Sequence, residues 1–206
     1  NYDETADFDD GSCTYPQPAA NLYFSEHGEG TSYNKYFEVY NASDAAVSLA
    51  DYAFVNCSNG CDDWEYTNAF ADGASVASGD VYVVCHSSVT VSACSDETFT
   101  SEEDCINNGG AWTAGFPTVE CDESRTLYHN GDDAQGLLHV TDGLLDTIGS
   151  IGEDPGSGWE VAGVLDATKD HTLVRDASVT SGNGGNWEES AGDADGSEWI
   201  VLDQND

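Results

Sequence analysis

Residues 22–49 read LYFSEHGEGTSYNKYFEVYNASDAAVSL and decide the fold class. Short runs of Leu, Tyr, Phe and Val are broken there by Gly, Asn, Asp and Ser, a pattern typical of β-strands joined by turns. The pattern continues to the end of the chain. Only a weak helical periodicity, at 101–107, interrupts it. The sequence therefore predicts an all-β protein with at most short helices.

Ten strands are expected, separated by turns at the spacing of a β-sandwich. Their predicted ranges are 21–26, 36–41, 47–49, 52–55, 81–86, 126–128, 136–140, 144–148, 172–175 and 198–202. Residues 1–19 form an acidic, cysteine-containing segment and a proline-rich linker, so the sandwich is expected to occupy 20–206. Residues 87–125 carry three cysteines and many turn formers, which indicates an insertion stapled by a disulfide.

The charge balance excludes whole classes of function. The chain has 40 Asp and Glu against four Lys and Arg, a formal charge of −36. Such a chain repels phosphate backbones and anionic headgroups, so we expect neither nucleic-acid binding nor membrane insertion. Disorder is also excluded, because hydrophobic residues make up 39% of the chain, as in a packed domain. An alternative explanation of the acidic composition is adaptation to high salt, which implies no particular function.

Seven cysteines point to an oxidising compartment, so an extracellular or cell-surface location is expected. The chain begins at Asn1 without an apolar leader, as a processed product or a fragment would. A Cys94–Cys105 bridge would staple the insertion. Cys57, Cys61, Cys85 and Cys121 could then form two further bridges, whose connectivity the sequence leaves open.

Residues 22–49 resemble the opening of the lamin tail domain family. The resemblance lies in a first strand ending in Ser25-Glu26, a second strand with Tyr36, Glu38 and Tyr40-Asn41, and a small-residue turn into 47–49. It continues through 52–54, 79–83, 130–133 and 171–175 to Trp199, and so covers about 20–203. The resemblance implies an immunoglobulin-like β-sandwich, used in secreted microbial proteins as a module of enzymes or surface proteins.

The first eighteen residues separately resemble the back half of an acidic Cys-containing repeat, NYD…DDGSC, found in secreted and surface proteins. In such repeats the partner cysteine lies in the front half, which would precede this chain. The resemblance therefore makes Cys13 the candidate for an intermolecular disulfide.

Calcium is the ligand that this composition favours, because Ca²⁺ prefers carboxylate and carbonyl oxygens. The alternative for each loop is a solvated tail or an ordinary turn. The candidate Ca²⁺ ligands are Asp3, Asp9 and Asp10, then Asp62 and Asp63, and finally Asn130, Asp132 and Asp133. Two glycosylation sequons begin at Asn41 and Asn56.

No sequence signature of a hydrolase or nucleotide-binding site is present. Glu26 and Glu38 could form a carboxylate pair of the glycosidase type. The favoured interpretation is structural: the two glutamates cap the first loop through backbone hydrogen bonds or through an ion pair with Lys35.

We therefore expect a non-enzymatic extracellular module with a structural or adhesive role. It would be a subunit of a surface fibre, a filament or a larger modular surface protein. Its partners would be copies of itself, assembled as a homo-polymer, or other surface proteins. The alternative is an accessory module of a secreted hydrolase.

Overall fold

The computed structural model describes residues 19–89, 93–113 and 121–206. Within these ranges it contains fourteen strands, two short helices and a 3-10 turn at Leu49–Asp51. In chain order the elements are β1 (Leu22–Glu29), β2 (Lys35–Asn41), β3 (Val47–Ser48), β4 (Tyr52–Cys57), β5 (Tyr66–Ala69), β6 (Ser75–Val76), β7 (Val81–His86), β8 (Ala93–Cys94), α1 (Glu102–Asn107), β9 (Trp112–Thr113), β10 (Glu123–Arg125), β11 (Ala134–His139), β12 (Gly143–Ile148), β13 (Thr172–Arg175), α2 (Trp187–Ala191) and β14 (Trp199–Leu202).

The molecule is an immunoglobulin-like β-sandwich, as the sequence predicts. One sheet has six strands in the order β10-β7-β2-β1-β13-β14, and the other has four in the order β12-β11-β4-β5. Phe24, Phe37 and Leu173 of the first sheet and Phe54 and Leu137 of the second are buried in one core. All pairings in these two sheets are antiparallel except that of β10 with β7.

Strand β2 shows how the opening stretch forms this fold. Phe37 and Val39 are completely buried in the core, while Glu38 between them faces the opposite side of the sheet. The register with β1 shifts between Phe24 and Glu26, so that Ser25 forms a bulge. Beyond this bulge β1 no longer pairs with β13, and the Phe24 N–H donates instead to buried Asp146, at 2.8 Å.

Most predicted strands are confirmed, and those at 81–86 and 172–175 have the predicted bounds. The helix expected at 101–107 forms as α1. The strand expected at 126–128 is wrong, because the strand lies at Glu123–Arg125. The Cys85–Cys121 disulfide explains the difference, since it holds the chain after Cys121 beside β7 and sets the register Glu123↔Val84.

The disulfides join the insertion and a loop to the sandwich. Cys94–Cys105 links α1 to the two-stranded β8–β9 sheet, and Cys85–Cys121 ties the end of the insertion to β7. The third bridge, Cys57–Cys61, closes the loop after β4. Cys13 and the rest of the acidic segment up to residue 18 lie outside the described residues. In the described ranges, no helix has both the length and the apolar character needed to span a membrane.

Candidate functional site

An open groove of about 630 Å³ lies at one end of the six-stranded sheet, and we call it the tyrosine groove. It is formed by the β1–β2 loop, the end of β7 and the segment after β10. Its described lining residues carry hydroxyl, amide, imidazole, amine and aromatic groups but no carboxylate, in a chain with 40 Asp and Glu. The lining residues are Ser32, Tyr33, Lys35, His86, Ser87, Ser88, Thr126, Leu127, Tyr128 and Asn130.

Exposed tyrosines border the groove. Tyr33 is 55% exposed and Tyr128 is 71% exposed, and both line the groove. Tyr66 on β5, 52% exposed, lies next to Tyr128, with the two ring centroids 6.5 Å apart. Among the described residues these three are the exposed aromatic side chains. The fully exposed aromatic residues of the described ranges therefore lie at or beside this groove.

His86 supports one wall and has a defined tautomer. Its ring stacks on Tyr33 at 4.7 Å between centroids, with 25° between the planes. Its Nδ1 accepts the N–H of Ser88 at 3.0 Å, so the neutral ring must carry its proton on Nε2. Burial, followed by the charge of Lys35, lowers the pKa of His86. His86 is thus a neutral hydrogen-bond donor through Nε2.

Lys35 brings a positive charge to the groove, but that charge is already paired. Lys35 and Glu29 are cross-strand neighbours at the loop end of β1 and β2. The Lys35 Nζ donates to Glu29 Oε1 at 2.6 Å and to the carbonyl of His129 at 2.8 Å. The ammonium therefore orders the site and adds little net charge to it.

Two buried imidazoles lie in the same region. The rings of His27 and His129 are 4.7 Å apart, and Nδ1 of neither ring has a hydrogen-bond partner among the described residues. Gln135 Nε2 is 2.9 Å from His27 Nε2, and since an amide nitrogen only donates, His27 accepts and is neutral. Burial lowers the pKa of His27 to about 3 and lowers that of His129 well below its ordinary value.

The carboxylate pair Glu26 and Glu38 lies elsewhere, on the outer face of the six-stranded sheet. The two residues are directly opposite each other in the β1–β2 register. Tyr36 donates its hydroxyl to Glu26, and Ser25 donates to Glu38 Oε1 at 2.7 Å. Burial is the main cause that raises the pKa of Glu38. Of the two structural roles considered for these glutamates, the ion pair with Lys35 is wrong, because Lys35 binds Glu29 instead.

The predicted calcium ligands are not brought together in the described part of the chain. There, no three His, Cys, Asp or Glu side chains form a group that could hold a metal ion. Asp133 accepts the N–H groups of Asn59 and Asn130, at 3.1 and 2.7 Å, and so fixes two loops. Asp62 and Asp63 are exposed.

The other predicted Ca²⁺ ligands likewise form no group of metal-binding side chains in the described ranges. Asp132 is half-buried and Asn130 is exposed. Asp3, Asp9 and Asp10 lie outside the described residues. Calcium binding stays a prediction.

The structure contradicts the predicted glycosylation of Asn41. Asn41 is completely buried, and its Nδ2 donates to the carbonyls of Ala45, Val76 and Ala77 at 2.8 to 3.1 Å. The side chain that would carry a glycan therefore holds the β2 end to the neighbouring turn. Asn56, on β4, is half-buried, and its modification stays a prediction.

The sequence did not identify the tyrosine groove. Its only local signal is an aromatic residue within a polar turn, as in Ser32-Tyr33-Asn34 and Tyr128-His129-Asn130. Such turns are common, so this signal alone does not indicate a site.

Comparisons with known proteins place these observations in a family. The model of the Lamin Tail Domain matches residues 16–152, more than half of the chain. A solved structure of a DUF4876 family protein from Bacteroides thetaiotaomicron is similar, with a TM-score of 0.44 and 13% sequence identity. That alignment covers 90% of this chain and 69% of the other. Comparison with curated proteins gives no match.

Proposed function

The chain belongs to the lamin tail domain family, and from that premise we propose that it is a non-enzymatic extracellular module with a structural or adhesive role. The observation that carries the proposal is an immunoglobulin-like sandwich cross-linked by three disulfides. Disulfides form and persist in oxidising environments and are rare in cytosolic proteins. The combination fits a module that is secreted or displayed at a cell surface.

The geometry of the groove favours binding over catalysis. A general base needs a free lone pair, and a nucleophile needs an activating partner. His86 Nδ1 is occupied by the Ser88 N–H, and Lys35 is bound to Glu29 and to a carbonyl. The two basic side chains of the groove are therefore committed to holding its shape.

An open sheet edge supports assembly with neighbouring copies. At one edge of the four-stranded sheet, Asn183 covers β12, because its side chain accepts from the N–H and donates to the carbonyl of Thr147. At the other edge β5 pairs only with β4 in the described part of the chain, and three of its four residues are exposed. An exposed strand edge can accept a strand from another chain. We propose that a neighbour's segment 1–19 pairs there or cross-links through Cys13.

Electrophoresis and imaging of native material test this assembly. We expect a ladder or high-mass species without reductant, its collapse with reductant, and fibres in negative-stain images. Cys13→Ser should remove the covalent species, whereas a Ser12→Ala control should not. A monodisperse monomer under both conditions, with no fibres, would overturn the assembly proposal and leave the extracellular module as the function.

Calcium is proposed as a stabilising ion of the exposed acidic loops, where Asp62 and Asp63 follow a disulfide. Chelation should then lower the melting temperature, and Ca²⁺ should restore it where Mg²⁺ does not. An unchanged melting temperature in chelator would rule out Ca²⁺ as a stabilising ion of the purified protein.

The groove also favours a second candidate, an accessory module of a secreted hydrolase that holds the enzyme on its substrate. This candidate predicts that the native protein copurifies with hydrolytic activity on glycans or phosphodiesters. If no activity is detected on any of these substrates, in material that still forms fibres, the structural role stands as the function.

A further inference from the structure

We propose that the tyrosine groove binds an uncharged, hydroxyl-rich ligand, a neutral glycan. The inference rests on the proposed adhesive role and names the ligand class of that site. It follows from the charge, the aromatic surface and the hydrogen-bonding groups of the groove.

Charge excludes the other ligand classes. A polyanion is repelled by the net charge of −36, and the cation of the groove, Lys35, is neutralised by Glu29 at 2.6 Å. A cationic ligand is attracted by the overall charge but would find no carboxylate to pair with among the described residues of the groove lining. An uncharged ligand needs no charged partner in this part of an otherwise acidic surface.

The exposed rings give the ligand a face to pack on. A sugar ring has one face of C–H groups, which packs on an aromatic ring, and a rim of hydroxyls. Tyr33 and Tyr128 keep 55% and 71% of their surface exposed and line one groove. Tyr33 is held by its stack on His86, so it loses little side-chain entropy on binding. Tyr66, 6.5 Å from Tyr128, extends the platform beyond the groove.

The polar lining matches hydroxyl groups in both directions. The hydroxyls of Ser32, Ser87 and Ser88 each donate and accept, as a sugar hydroxyl does. Asn130 offers an amide donor and an acceptor, and the tautomer of His86 supplies a donor at Nε2. A purely apolar ligand would leave these groups without partners, which disfavours it.

Affinity electrophoresis of the oxidised full-length chain tests the proposal. The probes are neutral dextran, mannan, xylan and laminarin, with alginate, heparin and polylysine as charged comparisons, all in 0.5 M NaCl. We expect at least one neutral polysaccharide to retard the protein and the charged polymers not to. Tyr33→Ala and Tyr128→Ala should each lower the association constant by about five- to tenfold. Tyr128→Phe, which keeps the ring, should retain most of the binding.

A matched control is Leu165→Ala, because Leu165 is 74% exposed and does not line the groove. It should bind like the wild type, and circular dichroism and melting temperature show whether each variant is folded. No retardation by any neutral polysaccharide, or retardation unaffected by the tyrosine variants, overturns the proposal. So does tyrosine-dependent binding of polylysine alone. If fibres form in material that binds no glycan, only the ligand assignment fails and the structural role stands.

Discussion

Acidification should destabilise this protein through two buried histidines, His27 and His129. Their residues are 2% and 1% exposed, and the rings lie 4.7 Å apart. Burial and then the charge of Lys35 lower the pKa of His27 to about 3. Burial, then the neighbouring His27 and Lys35, lower the pKa of His129 well below its ordinary value. His27 therefore stays neutral in the folded protein at pH 5, and the same causes disfavour the charged form of His129.

The sign and size of the effect follow from proton linkage. In the unfolded chain each histidine takes up a proton as the pH falls through about 6.5, whereas the folded chain does not. The stability linked to these groups is complete above that pH and is lost below it, by about 1.4 kcal/mol per pH unit for each ring. At pH 5 the loss is about 2 kcal/mol for His27, and His129 adds a further loss of the same sign.

Urea unfolding followed by tryptophan fluorescence at pH 7 and pH 5 measures this loss, in 1 M NaCl to screen the surface charges. His129→Gln should reduce the loss to about 2 kcal/mol, since one titrating group is removed. His171→Gln is the control, because His171 is half-buried. Burial raises the pKa of Glu38 and of Asp146, which acts in the opposite direction, but that contribution is common to all three proteins. An equal loss in the wild type and His129→Gln would refute the reasoning.

Three further predictions concern stability. Asp146→Ala removes the carboxylate 3.1 Å from the buried guanidinium of Arg175, which keeps Glu198 at 2.8 Å. It also leaves the buried Phe24 N–H without its acceptor, so urea denaturation should show a loss of about 2–4 kcal/mol; a loss below 1 kcal/mol would contradict this. Gly28→Ala places a methyl group against the ring of Tyr36 on β2 and should lower the free energy of unfolding by about 1–3 kcal/mol. An unchanged melting curve would contradict this close contact. Cys85→Ala removes a disulfide between residues 36 apart in sequence and should lower the free energy of unfolding by about 4 kcal/mol, whereas Cys57→Ala removes one with a separation of 4 and should lower it by about 2 kcal/mol. Equal losses would contradict the idea that each disulfide stabilises by restricting the unfolded chain.

The sequence predicts those strands in which β-branched and aromatic residues are concentrated. Strand β7, Val81–His86, is found this way because Val and Tyr give β propensity at each of its core positions. Strand β5, Tyr66–Ala69, has no buried residue, so its sequence carries no apolar signal. Helix α2, Trp187–Ala191, has five residues and depends on tertiary packing of Trp187 against Trp199, with the rings 6.2 Å apart.

The groove could not be predicted because its parts are distant in the sequence. Tyr33 and Tyr128 reach one groove because β1, β2, β7 and β10 share a sheet in which β10 is parallel to β7. That parallel pairing is aligned by Cys85–Cys121, one of the pairings that the cysteine count left open. The sequence shows the residue types of a site, whereas the disulfide and the sheet order decide which of them meet.

The charge of −36 limits how such a module can meet a partner. Three of the four basic residues, Lys35, Arg125 and Arg175, bind carboxylates of the same chain, and only Lys169 has its ammonium bound to a neutral group, Ser157 Oγ, at 3.2 Å. Copies of the chain therefore have almost no cations to offer one another's carboxylates, and their surfaces repel at low salt. Three kinds of contact can form despite this repulsion: covalent links, backbone hydrogen bonds at a strand edge, and contacts with an uncharged partner. The tyrosine groove supplies the uncharged contact, which is why its lack of carboxylates carries more weight here than it would in a protein of balanced charge.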